Sequence, residues 1–438
     1  MTRGAAAGPD VRGPAGTALA WENVTTTLPE VLAVRTLEIP DPGDLLARLP
    51  DAAPLVWLRR GDGLVGWGEA ARVVLPGDGD RDELARRWHA AVVAAADVED
   101  PVRLPGTGLV AFGSLTFDRG SAGSVLVVPR VVLGRRDGRA WLTTVGDLTP
   151  ADVLHGATAP TREPTVIDWH DGTLSAQEWE RRVARAVSAM RGGAYDKVVL
   201  ARDLYARTAE PIDARVVAAR LAERFPDCYT YACDGLVGAT PELLIRRYGR
   251  RLRSLVLAGS APRGADAAED DALGAKLLGS AKDVVEHRYA AESARASLAP
   301  LCASLTCDDR PFLLKLANIQ HLATRIDGEL SDDRSALEVA AALHPTAAVG
   351  GTPTDVAVRA IRELEGMDRG RYAGPVGWVD GRGNGEWGIA LRCAQLADGP
   401  DGPGARLFAG CGIVAGSDPA AELAEAQMKF RSVRSALS

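Results

Sequence analysis

Apolar and polar positions alternate in short blocks along the first third of the chain. Between residues 30 and 150 the runs LVWLRR, GLVGWGEA, ARVVLP, LVAFGSLTF, SVLVVPRVVLGRR and RAWLTTVG are separated by Gly, Asp and Pro. Short β-branched runs bounded by such residues predict strands, many of them joined as hairpins. One stretch of helical periodicity, about Asp80 to Asp97, interrupts them. Residues 150–170 are rich in Pro, Thr and Asp and predict a linker or long loop. Ser175 and Glu178 then have the spacing of a capping box, with Leu174 and Trp179 at the staple positions. Trp179, Val183, Val187 and Met190 recur at helical spacing until Gly192-Gly193 stops the helix. The segment DKVVLARDLYAR follows as a strand. At the far end Ser417 or Asp418 caps a last helix, with Pro419 at its first position. Strand runs broken by single helices predict an α+β fold on large antiparallel sheets, not a doubly wound parallel one.

Composition narrows the class without changing that picture. A length of 438 residues allows two or three domains of roughly 150 residues or one large α+β unit. With 46% hydrophobic and 25% charged residues the chain is an ordinary globular one with ample material for a core. The formal charge of −7 gives no electrostatic reason to bind nucleic acid or an anionic membrane. An anionic substrate would need local positive charge or a metal ion. No run approaches the ~20 apolar residues of a membrane span. The Gly/Ala/Pro-rich N-terminus has no apolar secretory segment, so a mobile tail and a cytoplasmic protein are expected. The six cysteines are too few for a disulfide scaffold and lack zinc-site spacing, which predicts buried free thiols.

Some motifs mislead. Gly61-Asp62-Gly63-Leu64-Val65-Gly66 matches a dinucleotide fingerprint, but it lies in a strand–turn–strand pattern with no helix opening after it. Asp62-Gly63 reads instead as a hairpin turn. No Walker A loop, zinc-protease motif or serine-hydrolase elbow is present.

The candidate chemistry lies in the second half. Glu422 and Glu425 are three apart and share a helix face. Glu286 lies in KDVVEH, with Asp283 one turn before it. Carboxylates converging from two helices suit a hard cation such as Mg²⁺; a solvated helix face is the plainer alternative. Lys197 opens an apolar strand, and a desolvated lysine there would work as a base. Glu242 in GATPELL, partly buried, would stay protonated and act as an acid. Gly350-Gly351 and Gly410-x-Gly412 are candidates to offer N–H groups to a carboxylate, and Arg392 to pair one bidentately.

In order along the chain, DKVVLAR, GATPELL, LAGSAPRG, SAKDVVEH, NIQHL, LHPTAAVGG, RYAGPVGW, EWGIALR, AGCGIV and SDPAAELAEAQMK resemble the chorismate-utilising enzymes. That family includes isochorismate synthase, salicylate synthase, anthranilate synthase component I and aminodeoxychorismate synthase. The motifs span roughly residues 196–429, and PLVWLRRGDGLVGWGEA is similar to actinobacterial isochorismate synthases. The resemblance implies two large antiparallel β-sheets packed together with helices on the outer faces. It divides the chain into a flexible tail (1–20), a strand-rich N-terminal half of the same fold (21–165) and a chorismate-binding catalytic region (166–438). It also implies Mg²⁺ on Glu286 and Glu425, with Glu422 and Asp283 in support, bridging to the substrate's ring carboxylate. Tyr372, Arg392 and the backbone near Gly410 would hold the enolpyruvyl carboxylate, with His321 and Lys429 lining the site.

Four positions point to a branch. Lys197 resembles the lysine that activates water, and Glu242 the acid that protonates the departing C4 hydroxyl. Ala348 replaces a Thr typical of ammonia-using and salicylate-forming members, and Ala258 stands where aminodeoxychorismate synthases have a nucleophilic Lys. Ala347 departs from the usual Pro. The expectation is an isochorismate synthase, of menaquinone rather than siderophore type, monomeric and without a glutaminase partner. Alternatives are a bifunctional salicylate synthase, an ammonia-using synthase component and a non-catalytic paralogue.

Overall fold

The computed structural model describes residues 17–21, 24–28, 32–77, 81–150, 153, 158–317, 319–399 and 402–438. Residues 1–16, Asp80 and Asn318 of the NIQHL motif lie outside the described residues. Two sheets of 12 and 13 strands carry the molecule, which is the α+β architecture the pattern predicts. Both sheets draw on early and late parts of the chain. In the first, Val110–Ser114 pairs with Pro375–Asp380; in the second, Leu55–Arg59 pairs with Tyr229–Cys233. Pairing among the described strands is antiparallel except for Leu32–Ile39 with Ala96–Glu99. The runs expected as strands form strands at Leu55–Arg59, Asp62–Trp67, Ala71–Leu75, Val110–Ser114, Ser124–Val128, Val131–Arg136 and Arg139–Val145.

The sheets face one another across a core that includes Trp57, Phe112, Trp378 and Trp387, each at most 1% exposed. Trp57 on the second sheet donates Nε1–H to Glu386 Oε2 on the first at 2.9 Å, so even the one polar atom of this indole is satisfied. A second cluster lies under the outer helices, where Val217 and Leu221 of Ala214–Arg224 meet Phe430, Val433 and Leu437 of Pro419–Leu437. No helix among the described residues is long and apolar enough to cross a membrane.

Several local expectations need correction. Strand Thr17–Trp21 pairs with Val24–Leu28, so the expected tail loses its last four residues to a sheet. The helix expected to reach Asp97 runs from Arg81 to Val93, its last turn widened, because Ala96–Glu99 is taken by the parallel pairing with Leu32–Arg35. The hairpin of Leu55–Arg59 and Asp62–Trp67 turns at Arg60-Gly61, not at Asp62-Gly63. Arg59 pairs with Asp62, and the two loop residues have φ of +53° and +80°, the left-handed pair such a turn needs. Ser175 accepts from the Glu178 N–H, but the Glu178 carboxylate goes to Arg181 and Arg182 instead of closing the capping box. Asp418 is the cap of the last helix, with Pro419 at its first position. All six thiols are free; Cys302 and Cys307, on a strand at the sheet border, are only half-buried, against expectation.

Candidate active site

A cavity opens where the long strands Lys197–Thr208, Arg251–Pro262, Ile319–Leu330 and Gly402–Val414 meet helices Ala281–Leu298 and Pro419–Leu437. Eleven of the residues singled out from sequence line it: Glu242, Ala258, Glu286, His321, Ala348, Tyr372, Arg392, Gly410, Gly412, Glu425 and Lys429. Lys197, Asp283 and Glu422 do not. Lys197 sits behind Glu286, its Nζ 3.4 Å from Glu286 Oε1, fully buried and without a hydrogen bond. Asp283 turns back to the Ser280 hydroxyl in the first turn of its own helix. Glu422 is covered by Lys282, whose Nζ donates to Glu422 Oε1 at 2.6 Å.

The carboxylates are set in place by local structure. Ser280 and Asp418 cap the two helices, which fixes where Glu286 and Glu425 emerge. Gly259, at φ +77°, makes a bulge in strand Arg251–Pro262, so the pairing slips between Ala258 and Ser260. The Ser260 hydroxyl then reaches Glu425 Oε1 at 3.2 Å, and the Ala258 carbonyl meets His287 Nδ1 at 3.1 Å. A carbonyl only accepts, so Nδ1 carries the proton and Nε2 accepts from Thr324 Oγ1 at 2.7 Å. Burial holds His287 down at about 4, which keeps it neutral in this structural role.

Each glutamate has its own lysine: Glu286 with Lys197, Glu422 with Lys282, and Glu425 with Lys429 at 2.7 Å. Lys429 also donates to the Gly410 carbonyl at 2.8 Å. The three glutamates offer oxygen ligands, as a hard divalent cation requires, with the Cys411 thiol beside them. Ligand atoms of Glu422 and Glu425 lie within 4.8 Å of each other and of Cys411 Sγ; Glu286 does not share that distance with both. A Cβ at position 412 would lie 2.0 Å from Glu286 Oε1, so glycine leaves the carboxylate where it stands and any other residue would push it aside. Buried carboxylates balanced by cations, in a cradle kept open by a missing side chain, fit the metal the resemblance implies.

The same cavity carries groups without hydrogen-bond partners among the described residues. Burial pushes the Glu242 carboxyl up to about 8, against the pull of the Lys197 charge. Burial, with Arg392 and Lys429, holds the His321 imidazole down at about 3; its Nε2 has no hydrogen-bond partner among the described residues. Tyr372 stacks on Phe408 at 4.9 Å, and neither its hydroxyl nor the Arg392 guanidinium has a hydrogen bond among the described residues. Such unpaired donors around one cavity are arranged for an anionic, oxygen-rich ligand.

Some expectations fail and some residues were missed. Gly350 offers no N–H to a ligand, since that group donates to the Thr346 carbonyl at 2.9 Å, and Gly351 pairs with Val198. Ser260, Lys282 and Arg369 were not singled out. Arg369 lines the cavity and ties it together, donating to the carbonyls of Val199 at 2.8 Å and Val349 at 3.0 Å while paired with Glu365. Ser260 and Lys282 stand inside two of the quoted motifs, so position in LAGSAPRG and SAKDVVEH was the available signal.

The family model described as chorismate binding enzyme matches residues 41–438. Isochorismate synthase DhbC of Bacillus subtilis is 42% identical over 273 residues, 60% of this chain and 68% of that protein. Isochorismate synthase MenF of Bacillus subtilis is 34% identical over 383 residues, 81% of this chain and 80% of that protein. The solved structure of MenF, the menaquinone-specific isochorismate synthase from Escherichia coli, superposes with a TM-score of 0.73 at 27% identity, over 94% of this chain and 96% of that one. The sheets, the cavity and these alignments agree: this chain belongs to the chorismate-binding enzyme family.

Proposed function

We propose that this chain is a Mg²⁺-dependent isochorismate synthase, interconverting chorismate and isochorismate. The reaction adds water at ring C2, shifts the ring double bond and expels the C4 hydroxyl. One group must take a proton and another must give one. The observation that carries the reading is a buried, raised carboxyl on the cavity wall with a buried lysine close behind, next to Glu286. Lys197 has no hydrogen bond among the described residues and stands 3.4 Å from Glu286 Oε1, and Glu242 is pushed up to about 8. Two ionisable groups held in different environments are the usual sign of a base and an acid. Glu242, protonated at neutral pH, donates to the departing hydroxyl. Lys197 takes the proton of the attacking water. Bound Mg²⁺ supplies positive charge against the ring carboxylate, which an acidic protein needs in order to hold a dianion. Glu286 and Glu425 would hold it, with Glu422 beside them. Arg392 and Tyr372 hold the enolpyruvyl carboxylate, and His321, kept neutral, donates or accepts a hydrogen bond without adding charge.

The names of the Bacillus subtilis relatives support the activity. A menaquinone role is supported by the further reach of the MenF alignment, 383 residues against 273, although DhbC is the more identical. The test is product analysis. Purified protein with chorismate and Mg²⁺ should give a new peak isobaric with chorismate that EDTA abolishes. Lys197→Ala should lose turnover by at least about a hundredfold while chorismate still binds. Retained turnover sinks the assignment of Lys197. Salicylate with pyruvate would make the enzyme bifunctional, and product only on addition of ammonium would overturn the reading.

A further inference from the structure

The three lysine–glutamate pairs differ in how free the lysine is to leave. Lys197 is fully buried beneath Glu286. Lys429 is nearly buried and held twice, by Glu425 and by the Gly410 carbonyl. Lys282 has one partner, Glu422, and its side chain is 37% exposed while that of Glu422 is 2% exposed. A carboxylate so buried needs a cation beside it. Of the three lysines, only Lys282 combines a single tether with a stem that reaches solvent. Its ammonium lies 2.6 Å from Glu422 Oε1, within the cluster that Glu422 forms with Glu425.

We propose that Lys282 is a resident cation of the carboxylate cluster, which a divalent ion displaces when it takes Glu422. Resting on the metal-dependent reading above, this adds that the site trades one cation for another. The buried charge is balanced in both states, and the chain folds without metal. The exchange breaks one ammonium–carboxylate hydrogen bond, forms a metal–oxygen contact and releases the lysine head to water. Metal affinity is therefore held below what the bare carboxylates would give.

Two measurements on the full chain without chorismate test this, with Mn²⁺ as the probe because it takes the same oxygen ligands. Lys282→Gln keeps a donor for Glu422 but removes the competing charge. It should bind Mn²⁺ about tenfold more tightly, the worth of one charge-assisted hydrogen bond, whereas Lys282→Arg should stay near wild type. In the wild type, acetylation of Lys282 read by peptide mass should rise severalfold when Mn²⁺ is saturating. This second readout needs no variant to fold. Lysine 282 acetylating no faster with Mn²⁺ bound overturns the proposal, as does a Lys282→Gln chain that binds Mn²⁺ no more tightly. Wild type that binds Mn²⁺ while either result holds leaves the metal reading standing and removes only the exchange. No Mn²⁺ binding in any variant removes both.

Discussion

Glu242 shows how much a single residue owes to burial. Its carboxyl stands at about 8 instead of the ordinary 4.5, with the Lys197 charge opposing the shift. A proton donor with that value works below pH 8 and is lost above it. Turnover should therefore fall as pH rises through about 8, and Glu242→Gln should remove that dependence at a cost of about 10²–10⁴ in rate. A flat wild-type profile from pH 7 to 9.5 would sink Glu242 as the acid. The same shift bears on stability, with a definite sign. A carboxyl raised on folding contributes most below its unfolded value, and the contribution is lost as pH climbs to the folded one. Glu242→Gln should therefore raise the melting temperature relative to wild type at pH 9 more than at pH 4.5.

At the scale of elements, the site depends on one strand passing close to one helix. Strand Gly402–Val414 runs against helix Ala281–Leu298 at Gly412, where a methyl group would sit 2.0 Å from Glu286 Oε1 and 3.2 Å from Lys197 Cε. Gly412 has an ordinary strand partner, Val199, so what a side chain there would meet is the neighbouring carboxylate and not a backbone constraint. Gly412→Ala should displace Glu286 and lower turnover at least tenfold, with the metal requirement shifted to higher concentration. Unchanged kinetics would show that Glu286 takes no part. The caps that end the helices are local and readable: Asp418 and Pro419 start the last helix as their types predict. The Gly259 bulge is not readable in the same way, because a glycine in LAGSAPRG fits a turn, a strand or a bulge equally well.

Across the whole molecule, the two sheets are joined by a buried polar knot. Glu386 accepts from Trp57 Nε1 and pairs with Arg246 at 3.2 Å and Arg136 at 3.3 Å, with the Tyr248 hydroxyl also on it. Burial alone would raise this carboxyl; Arg246 and Arg136 outweigh it and hold it below the usual value of 4.5. The sign is opposite to that of Glu242: its stabilisation is present above the unfolded value and fades as pH falls through the folded one. Glu386→Ala would leave two half-buried guanidinium groups without their carboxylate. A loss of about 3–5 kcal/mol is expected, read as a lower denaturation midpoint at pH 7. A midpoint within experimental error of wild type would show that the arginines find other partners.

Local chemistry was legible in the sequence because its causes lie within a few residues. Period-two runs gave the strands, cap residues gave the helix starts, and the motif series gave the family. Even there, the turn after Leu55–Arg59 falls two residues before Asp62-Gly63, since GDG offers more than one glycine for a left-handed position and strand pairing chooses between them. The order of strands was not legible, because Leu55–Arg59 finds its partner at Tyr229–Cys233 through long-range packing. The site divides along the same line. Glu286, Glu422 and Glu425 stand out as helix-borne carboxylates by spacing alone. Ser260 meets Glu425 across 165 residues and Lys282 meets Glu422 across 140, so only their places in LAGSAPRG and SAKDVVEH mark them, and neither partner is readable locally. Sequence by itself determined which residue types were available and which local elements would carry them. Tertiary structure decided which charges face each other and which are shut away from water, because proximity and burial arise only when distant segments pack.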